Sequence, residues 1–265
     1  MQERDAMKQI LLIGMGAGDP EQITVQAINA LNRTNAVFLL DKGYADDDLL
    51  LSRKTMCERY ITHTDYRLVQ VQDPRREDDP SGYERGVEHW HEQRAILFER
   101  LIADELGKDE TGAFLVWGDP ALYDSTLRIL DRVLARGREV FEHQVIPGIT
   151  SVQALVASHR IPLNRIGEPV LITTGRRLAA SLDDAPENAV VMLDAHCTFD
   201  RFIGKGLDIY WGAYLGTPDE IRVSGRLDDV CEQIKQLRAE ARQRKGWVMD
   251  TYLLRRPCPP TETTD

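Results

Sequence analysis

The sequence predicts an α/β protein with two domains: a mostly parallel N-terminal sheet with helical crossovers, then a smaller part with a mixed sheet. Three observations carry this. Short apolar runs alternate with amphipathic stretches over the first two-thirds of the chain. The crossovers between them are about a dozen residues or longer, as parallel strands require. After Ile161-Pro162-Leu163 the pattern changes to closely spaced apolar runs with few helical stretches between them.

Residues 8–13 form an apolar run ending in glycines and read as a buried strand. Residues 20–32 place Ile23, Ala27, Ala30 and Leu31 at helical spacing. Residues 36–40 read as a second buried strand, and the weakly alternating 68–71 as a third. A long helix is predicted over 83–106, with Val87, Trp90, Arg94, Leu97 and Leu101 on one stripe. Strand 113–117, helix 121–136, strand 139–146 and helix 149–158 follow. In the second part 170–173, 189–193, 209–215, 221–224 and 247–254 read as strands, and 198–203 and 227–244 as helices. Gly216-Thr217-Pro218-Asp219 makes a hairpin-like link between two of those strands. The expected domains are 1–166 and 167–256, with the boundary near 164–168 and a Pro/Thr-rich tail, 257–265, expected to be disordered. Stretches 43–70 and 73–82 are charged and poor in apolar residues, and read as long connections of the kind that form lids.

The chain has 265 residues, 42% hydrophobic and 29% charged, which fits an ordinary globular protein. Lys+Arg 33 against Asp+Glu 43 gives a net charge of −10. That excludes general nucleic-acid binding, which needs a basic surface. The longest apolar runs, such as 36–40 and 113–117, span five residues. A transmembrane helix needs about 20. The opening MQERDAMKQ is charged and leads into no signal-peptide core, so a cytoplasmic protein is expected. Cys57, Cys197, Cys231 and Cys258 form no CxxC, and the histidines show no paired ligand spacing with them. Reduced thiols and no metal are expected.

Three glycine turns follow strands: Gly14-Met15-Gly16-Ala17-Gly18-Asp19-Pro20, Gly118-Asp119-Pro120 and Pro147-Gly148-Ile149-Thr150-Ser151. In a parallel sheet all three lie at the carboxyl edge, where open α/β sheets bind ligands. Glycine lets the backbone approach a ligand closely, and helix N-termini offer free N–H groups. Each turn also has a plain reading, with Asp19, Asp119, Thr150 or Ser151 as helix caps. Three turns on one edge favour a bound small molecule. The first loop with Asp41 also approximates a dinucleotide fingerprint, which keeps an NAD(P)-linked oxidoreductase as an alternative, although Asp19 stands where its third glycine would be. No P-loop, nucleophile-elbow or zincin motif occurs.

These turns resemble those of the tetrapyrrole methylases. The opening loop with Gln22-Ile23-Thr24, the stretch Gly118-Asp119-Pro120-Ala121-Leu122-Tyr123, the turn Pro147-Gly148-Ile149-Thr150-Ser151 with Gln153-Ala154, and Tyr214-Leu215-Gly216-Thr217-Pro218-Asp219-Glu220 followed by Gly225-Arg226-Leu227 come in family order across about 8–254. Leu40-Asp41-Lys42-Gly43, Cys57-Glu58-Arg59-Tyr60, Asp73-Pro74 and Trp90-His91-Glu92 resemble the deacetylating precorrin branch. That branch methylates C1 of precorrin-5 and releases acetate in aerobic cobalamin biosynthesis.

The resemblance implies two α/β domains with S-adenosylmethionine (SAM) between them, and a homodimer. It carries cofactor binding to Ala17, Gly118, Asp119, Leu122, Thr150, Ser151, Leu193, Tyr214 and Leu215, and the proton-accepting role to Asp41. Asp41 has an alternative reading as a partner of Lys42 or a cap of the following loop. Arg53, Arg59 and Arg67 suit the substrate's peripheral carboxylates, and a solvated charged loop is the alternative. His63, Tyr66, Arg67, Trp90 and His91 are candidates for assisting deacetylation, although a histidine in such a place more often packs or faces solvent. Another precorrin or uroporphyrinogen methylase and a non-catalytic tetrapyrrole-binding protein remain open.

Overall fold

The computed structural model describes residues 7–43, 48–76, 83–180 and 185–257. The chain divides into two compact units, Met1–Thr150 and Ser151–Asp265.

The first unit contains β1 (Lys8–Gly14), α1 (Val25–Leu31), β2 (Ala36–Asp41), α2 (Asp48–Tyr60), β3 (Arg67–Gln72), α3 (Tyr83–Glu105), β4 (Thr111–Val116), α4 (Thr126–Arg136) and β5 (Phe141–Ile146). Its five strands form one parallel sheet in the order β3-β2-β4-β1-β5. Both faces are covered, which is why β1 and β4 are unbroken apolar runs. Ile10 and Leu12 pack with Phe98, Ile102, Ile129 and Leu130 of α3 and α4. Leu11 and Ile13 face the other way, toward Leu31, Met56 and Cys57 of α1 and α2.

Three helices of this unit differ from the sequence expectation, each for a local reason. The helix expected from residue 20 begins at Val25. Asp19 Oδ1 accepts the Glu21 N–H at 2.8 Å and holds Pro20–Gln22 as a separate 3-10 turn. Thr24 Oγ1 then caps α1 by accepting the Ala27 N–H at 3.1 Å. The helix expected from 121 begins at Thr126 because two aspartates make turns of the intervening residues. Asp119 Oδ1 takes the Ala121 N–H and Asp124 Oδ1 the Thr126 N–H, each at 2.7 Å. The supposed long connection 43–70 holds α2, which buries only Met56 and Cys57 and so shows no apolar stripe. Residues 44–47 and 77–82 of the charged stretches lie outside the described residues.

The second unit contains α5 (Ser151–His159), β6 (Leu171–Thr174), α6 (Gly175–Ala180), β7 (Asn188–Met192), β8 (Asp208–Ala213), β9 (Ile221–Arg226), α7 (Leu227–Lys245) and β10 (Asp250–Arg255). Its sheet runs β6-β7-β10-β8-β9, with β6 parallel to β7 and every other pairing antiparallel. Trp211, Phe199, Phe202 and Tyr252 fill its core with Leu227 and Ile234 of α7. The sequence places the domain boundary near 164–168, whereas the division between units falls at Thr150 and Ser151. The reason is α5, which packs on this sheet: a His159 ring nitrogen lies 3.1 Å from the Trp211 carbonyl oxygen. The expected tail, from 258 onward, lies outside the described residues. Among the described residues no helix is long and apolar enough to cross a membrane.

The ends of β1, β4 and β5 meet backbone to backbone. A Cβ on Gly148 would stand 2.2 Å from the Gly118 carbonyl oxygen, and one on Gly14 would stand 2.6 Å from the Gly148 nitrogen. Gly148→Ala is therefore expected to force these turns apart and cost at least about 1–3 kcal/mol. Urea denaturation reads this directly, and an unchanged midpoint would show that the turns yield freely.

Candidate functional site

The packing of the first unit opens its sheet between β1 and β4. The chain leaves β1 toward α1 on one face and leaves β4 toward α4 on the other. Neighbouring strands whose connections part in this way leave a crevice at their carboxyl ends. The two turns are joined across it. Met15 N–H donates to the Val116 carbonyl at 2.9 Å and Gly118 N–H to the Gly16 carbonyl at 2.8 Å. Gly16 (φ +87°) and Gly118 (φ +70°) are left-handed, where a side chain would be strained.

Asp119 holds the second and third turns together. Its Oδ2 accepts the Gly148 N–H at 2.8 Å while Oδ1 caps its own loop. Leu122 N–H closes that loop on the Asp119 carbonyl at 3.2 Å. Ala17 is buried, and its N–H donates to Gln22 Oε1 at 3.1 Å. A Cβ on Gly118 would meet nothing nearer than Thr150 Cα at 3.7 Å. Gly14 and Gly148 are thus packed shut while Gly118 has room beside it. This edge offers backbone and small apolar groups, which suits a ligand held by shape and main-chain contacts.

Asp41 ends β2 at the same edge. Its Oδ1 accepts the Gly43 N–H at 2.7 Å and its Oδ2 the Gln70 side-chain amide at 2.9 Å. The loop-capping reading therefore describes one oxygen. The Asp41 carbonyl accepts the Asp73 N–H at 2.7 Å. Arg53 donates through Nε to the Leu115 carbonyl at 3.0 Å, and Arg59 pairs with Glu21 at 2.8 Å. Arg67 departs from its expected place. It opens β3, so it stands at the amino edge, at the far end of the sheet from Asp41, and pairs with Glu110 at 2.6 Å. A parallel strand's first residue faces away from the edge where the turns gather.

Sequence reasoning missed a buried ion pair behind Asp41. Arg94 Nε lies 2.9 Å from Asp73 Oδ1, with side-chain exposures of 8% and 5%. The guanidinium stands 4.8 Å from the Trp90 ring centroid and 5.3 Å from that of Phe98. Its Nη1 donates to Ser125 Oγ at 3.2 Å. The one sequence signal was a charged residue inside the apolar stripe of α3. Burial raises the Asp73 carboxyl above its usual range, against the opposing pull of Arg94, Lys42 and Arg53. His91 is a packing residue: it is buried against Trp90, at 5.3 Å between ring centroids, and burial pushes its pKa down. His63 stacks edge-on against Tyr66 at 5.8 Å.

In the second unit β7 and β8 both pair antiparallel with β10, so their carboxyl ends share one edge with its start. Leu193 follows β7 with φ +53°, and Tyr214 follows β8 with φ +49°. A left-handed backbone at two large non-glycine residues is strained, and such strain concentrates at functional sites. Leu193 is 66% exposed, while Tyr214 and Leu215 are buried. The Tyr214 hydroxyl donates to the Trp247 carbonyl at 2.6 Å. Its ring is thereby turned inward, and its backbone borders the edge. Ser151 Oγ reaches Thr251 Oγ1 at 3.2 Å. Ser151, Leu193, Tyr214 and Leu215 therefore gather at one edge of this unit. Among the described residues no group of three or more His, Cys, Asp or Glu is placed to hold a metal ion.

Arg94→Met would leave Asp73 buried without its partner, a loss expected to cost about 3–5 kcal/mol at neutral pH. A carboxyl raised on folding contributes stability that is full below its unfolded pKa of about 3.9 and is lost as pH climbs through the folded value. The penalty of the variant should therefore shrink on acidification. Urea titrations across pH test this, and a penalty that does not vary with pH would contradict it.

The tetrapyrrole (corrin/porphyrin) methylase family matches residues 9–231. A precorrin-6A synthase (deacetylating) of Sinorhizobium sp is 52% identical over 250 residues, covering 94% of this chain and 96% of that protein. The crystal structure of a Corynebacterium diphtheriae protein described as related to cobalamin synthesis (CobF) superposes with TM-score 0.81 at 38% identity, covering 94% of this chain and 99% of that one. A uroporphyrin-III C-methyl transferase from Thermus thermophilus, complexed with S-adenyl homocysteine, shares the fold at TM-score 0.58 and 19% identity, over 93% of this chain and 97% of that one. With the match running over most of its length, and with a 52% identical relative covered almost in full, the chain belongs to the tetrapyrrole methylases.

Proposed function

We propose that this protein is a SAM-dependent C-methyltransferase that methylates C1 of precorrin-5 and, by addition of one water to the acetyl carbonyl, releases acetate, giving precorrin-6A. The observation that carries this is the 52% identity to a precorrin-6A synthase over 94% of the chain. The family match leaves the NAD(P)-linked alternative without support.

SAM supplies a methyl group already activated by its sulfonium, so in the methyl-transfer step the protein's task is alignment and exclusion of water from the sulfonium, while acetyl release consumes one water. Ala17, Gly118, Asp119, Leu122 and Thr150 of the first unit, with Ser151, Leu193, Tyr214 and Leu215 of the second, hold the cofactor in this reading. The room beside Gly118 and the left-handed backbone at Leu193 and Tyr214 support it. Asp41 accepts the proton that must leave the methylated ring system, with Gly43 N–H and Gln70 orienting its carboxylate. Arg53 and Arg59 take peripheral carboxylates of the substrate. We leave Arg67 out of that set, since it stands at the opposite edge of the sheet. The reading includes a homodimer in the cytoplasm; light scattering on the purified protein tests the dimer.

Incubating purified protein with precorrin-5 and SAM should yield one methylated product and one equivalent of acetate. Methylation without acetate would instead favour another precorrin methylase. Asp41→Asn keeps shape but removes the base, and should cut turnover by about 100- to 10,000-fold with S-adenosylhomocysteine affinity nearly unchanged. Wild-type single-turnover rates would leave Asp41 as a loop cap only. Gly118→Asn tolerates the left-handed backbone yet places a side chain beside Thr150. It should weaken S-adenosylhomocysteine by about tenfold or more in calorimetry, without loss of fold. Unchanged affinity would move the cofactor away from this turn.

A further inference from the structure

Arg238 of α7 holds a position that none of the family turns includes. It is 9% exposed. Its Nη2 donates to the Asp194 main-chain carbonyl at 2.8 Å, and its Nε to Asp250 Oδ2 at 2.9 Å. Asp194 directly follows Leu193. Asp250 directly follows Met249, whose carbonyl accepts the Tyr214 N–H at 2.9 Å. A single guanidinium therefore ties together the two strand ends that carry left-handed non-glycine residues.

A second set of bonds fixes its partners. Asp194 Oδ2 accepts the Tyr252 hydroxyl at 2.7 Å and the Thr198 N–H at 2.6 Å. Asp194 Oδ1 accepts the Thr198 hydroxyl and the His196 N–H, each at 3.0 Å. Trp211 Nε1 donates to Asp250 Oδ2 at 3.0 Å. A Cβ on Gly175 would stand 2.5 Å from Asp194 Cγ, so the carboxylate is wedged as well as bonded. Burial, reinforced by the Asp194 carboxylate, pushes the Tyr252 phenol far up and keeps it a donor.

Stability alone gives little reason for this arrangement. Burying charges roughly cancels its Coulombic gain, and left-handed backbone at leucine and tyrosine is itself costly. Such outlay is sensible where a surface must be held in one shape before its ligand arrives. We propose that Arg238, with Asp194, Asp250 and Tyr252, forms a positioning network that presets the Leu193 and Tyr214 backbone for the adenosyl group. The proposal rests on the reading that these two residues border the cofactor.

The test is calorimetry with S-adenosylhomocysteine on wild type, Arg238→Lys and Tyr252→Phe, each first shown to fold by circular dichroism and a single cooperative melt. Lysine keeps the charge, but its ammonium lacks the planar fork that bridges both acceptors. Phenylalanine removes one donor at nearly constant volume. Both variants should bind about tenfold more weakly, equivalent to about 1.4 kcal/mol. KM for SAM should rise in step while kcat at saturating SAM holds within about twofold. Arg238→Lys should retain more affinity than Arg238→Met. A network that only stabilises the fold would lower the melting temperature and leave affinity and KM alone, which would overturn the proposal. Should Arg238→Lys not fold, Tyr252→Phe decides. Failure of the wild type to bind S-adenosylhomocysteine would overturn the cofactor reading itself; wild-type binding with unaltered variants would overturn only the network.

Discussion

The first unit depends on one steric constraint: the ends of β1, β4 and β5 lie closer than any side chain allows. Gly148 sits 2.2 Å, measured from where its Cβ would be, from the Gly118 carbonyl oxygen, and Gly14 is enclosed by both. That approach requires glycine at 14 and 148 and permits the Gly16–Gly118 bridge. It also lets one carboxylate, Asp119, join the second turn to the third. The cofactor-facing groups proposed in this unit lie in the turns that follow these strand ends, and none needs a long side chain. The chemistry agrees, since an activated methyl donor needs alignment more than it needs acids and bases.

Each unit also holds a buried charged cluster, and the two clusters are built alike. Arg94 with Asp73 stands behind Asp41 in the first unit, and Arg238 with Asp250 and Asp194 stands behind Leu193 and Tyr214 in the second. In each, an arginine on a helix reaches residues at or just beyond strand ends. Buried ion pairs are weak sources of stability, but losing one partner is costly.

Much of this was legible in the sequence, for identifiable reasons. Strands buried on both faces read as unbroken apolar runs, so β1, β2 and β4 stand out. The left-handed turns are visible because glycine occupies them. Leu193 and Tyr214 adopt the same backbone region without glycine, and no pattern announces it. α2 was hidden because it buries only Met56 and Cys57. Asx turns at Asp19, Asp119 and Asp124 delayed two helix starts that periodicity placed too early. Arg67 read as part of the basic surface for the substrate because spacing does not tell which end of a strand a residue occupies. Both buried arginines carry a shared, usable signal. Arg238 lies on the stripe Leu227, Cys231, Ile234, Ala241, as Arg94 lies on the apolar stripe of α3. A lone arginine within an amphipathic helix's apolar stripe marks a buried charge that has something to hold.

The claim to be tested is that S-adenosylhomocysteine binds at the cofactor residues proposed above. Amide hydrogen exchange with and without S-adenosylhomocysteine tests it most directly. The account predicts added protection in the turns at 14–18, 118–123 and 147–151 and at 193–194 and 213–216, with the amino edge around Arg67 and Glu110 unaffected. Protection confined to the amino edge, or spread evenly over both units with no focus on these turns, would contradict it.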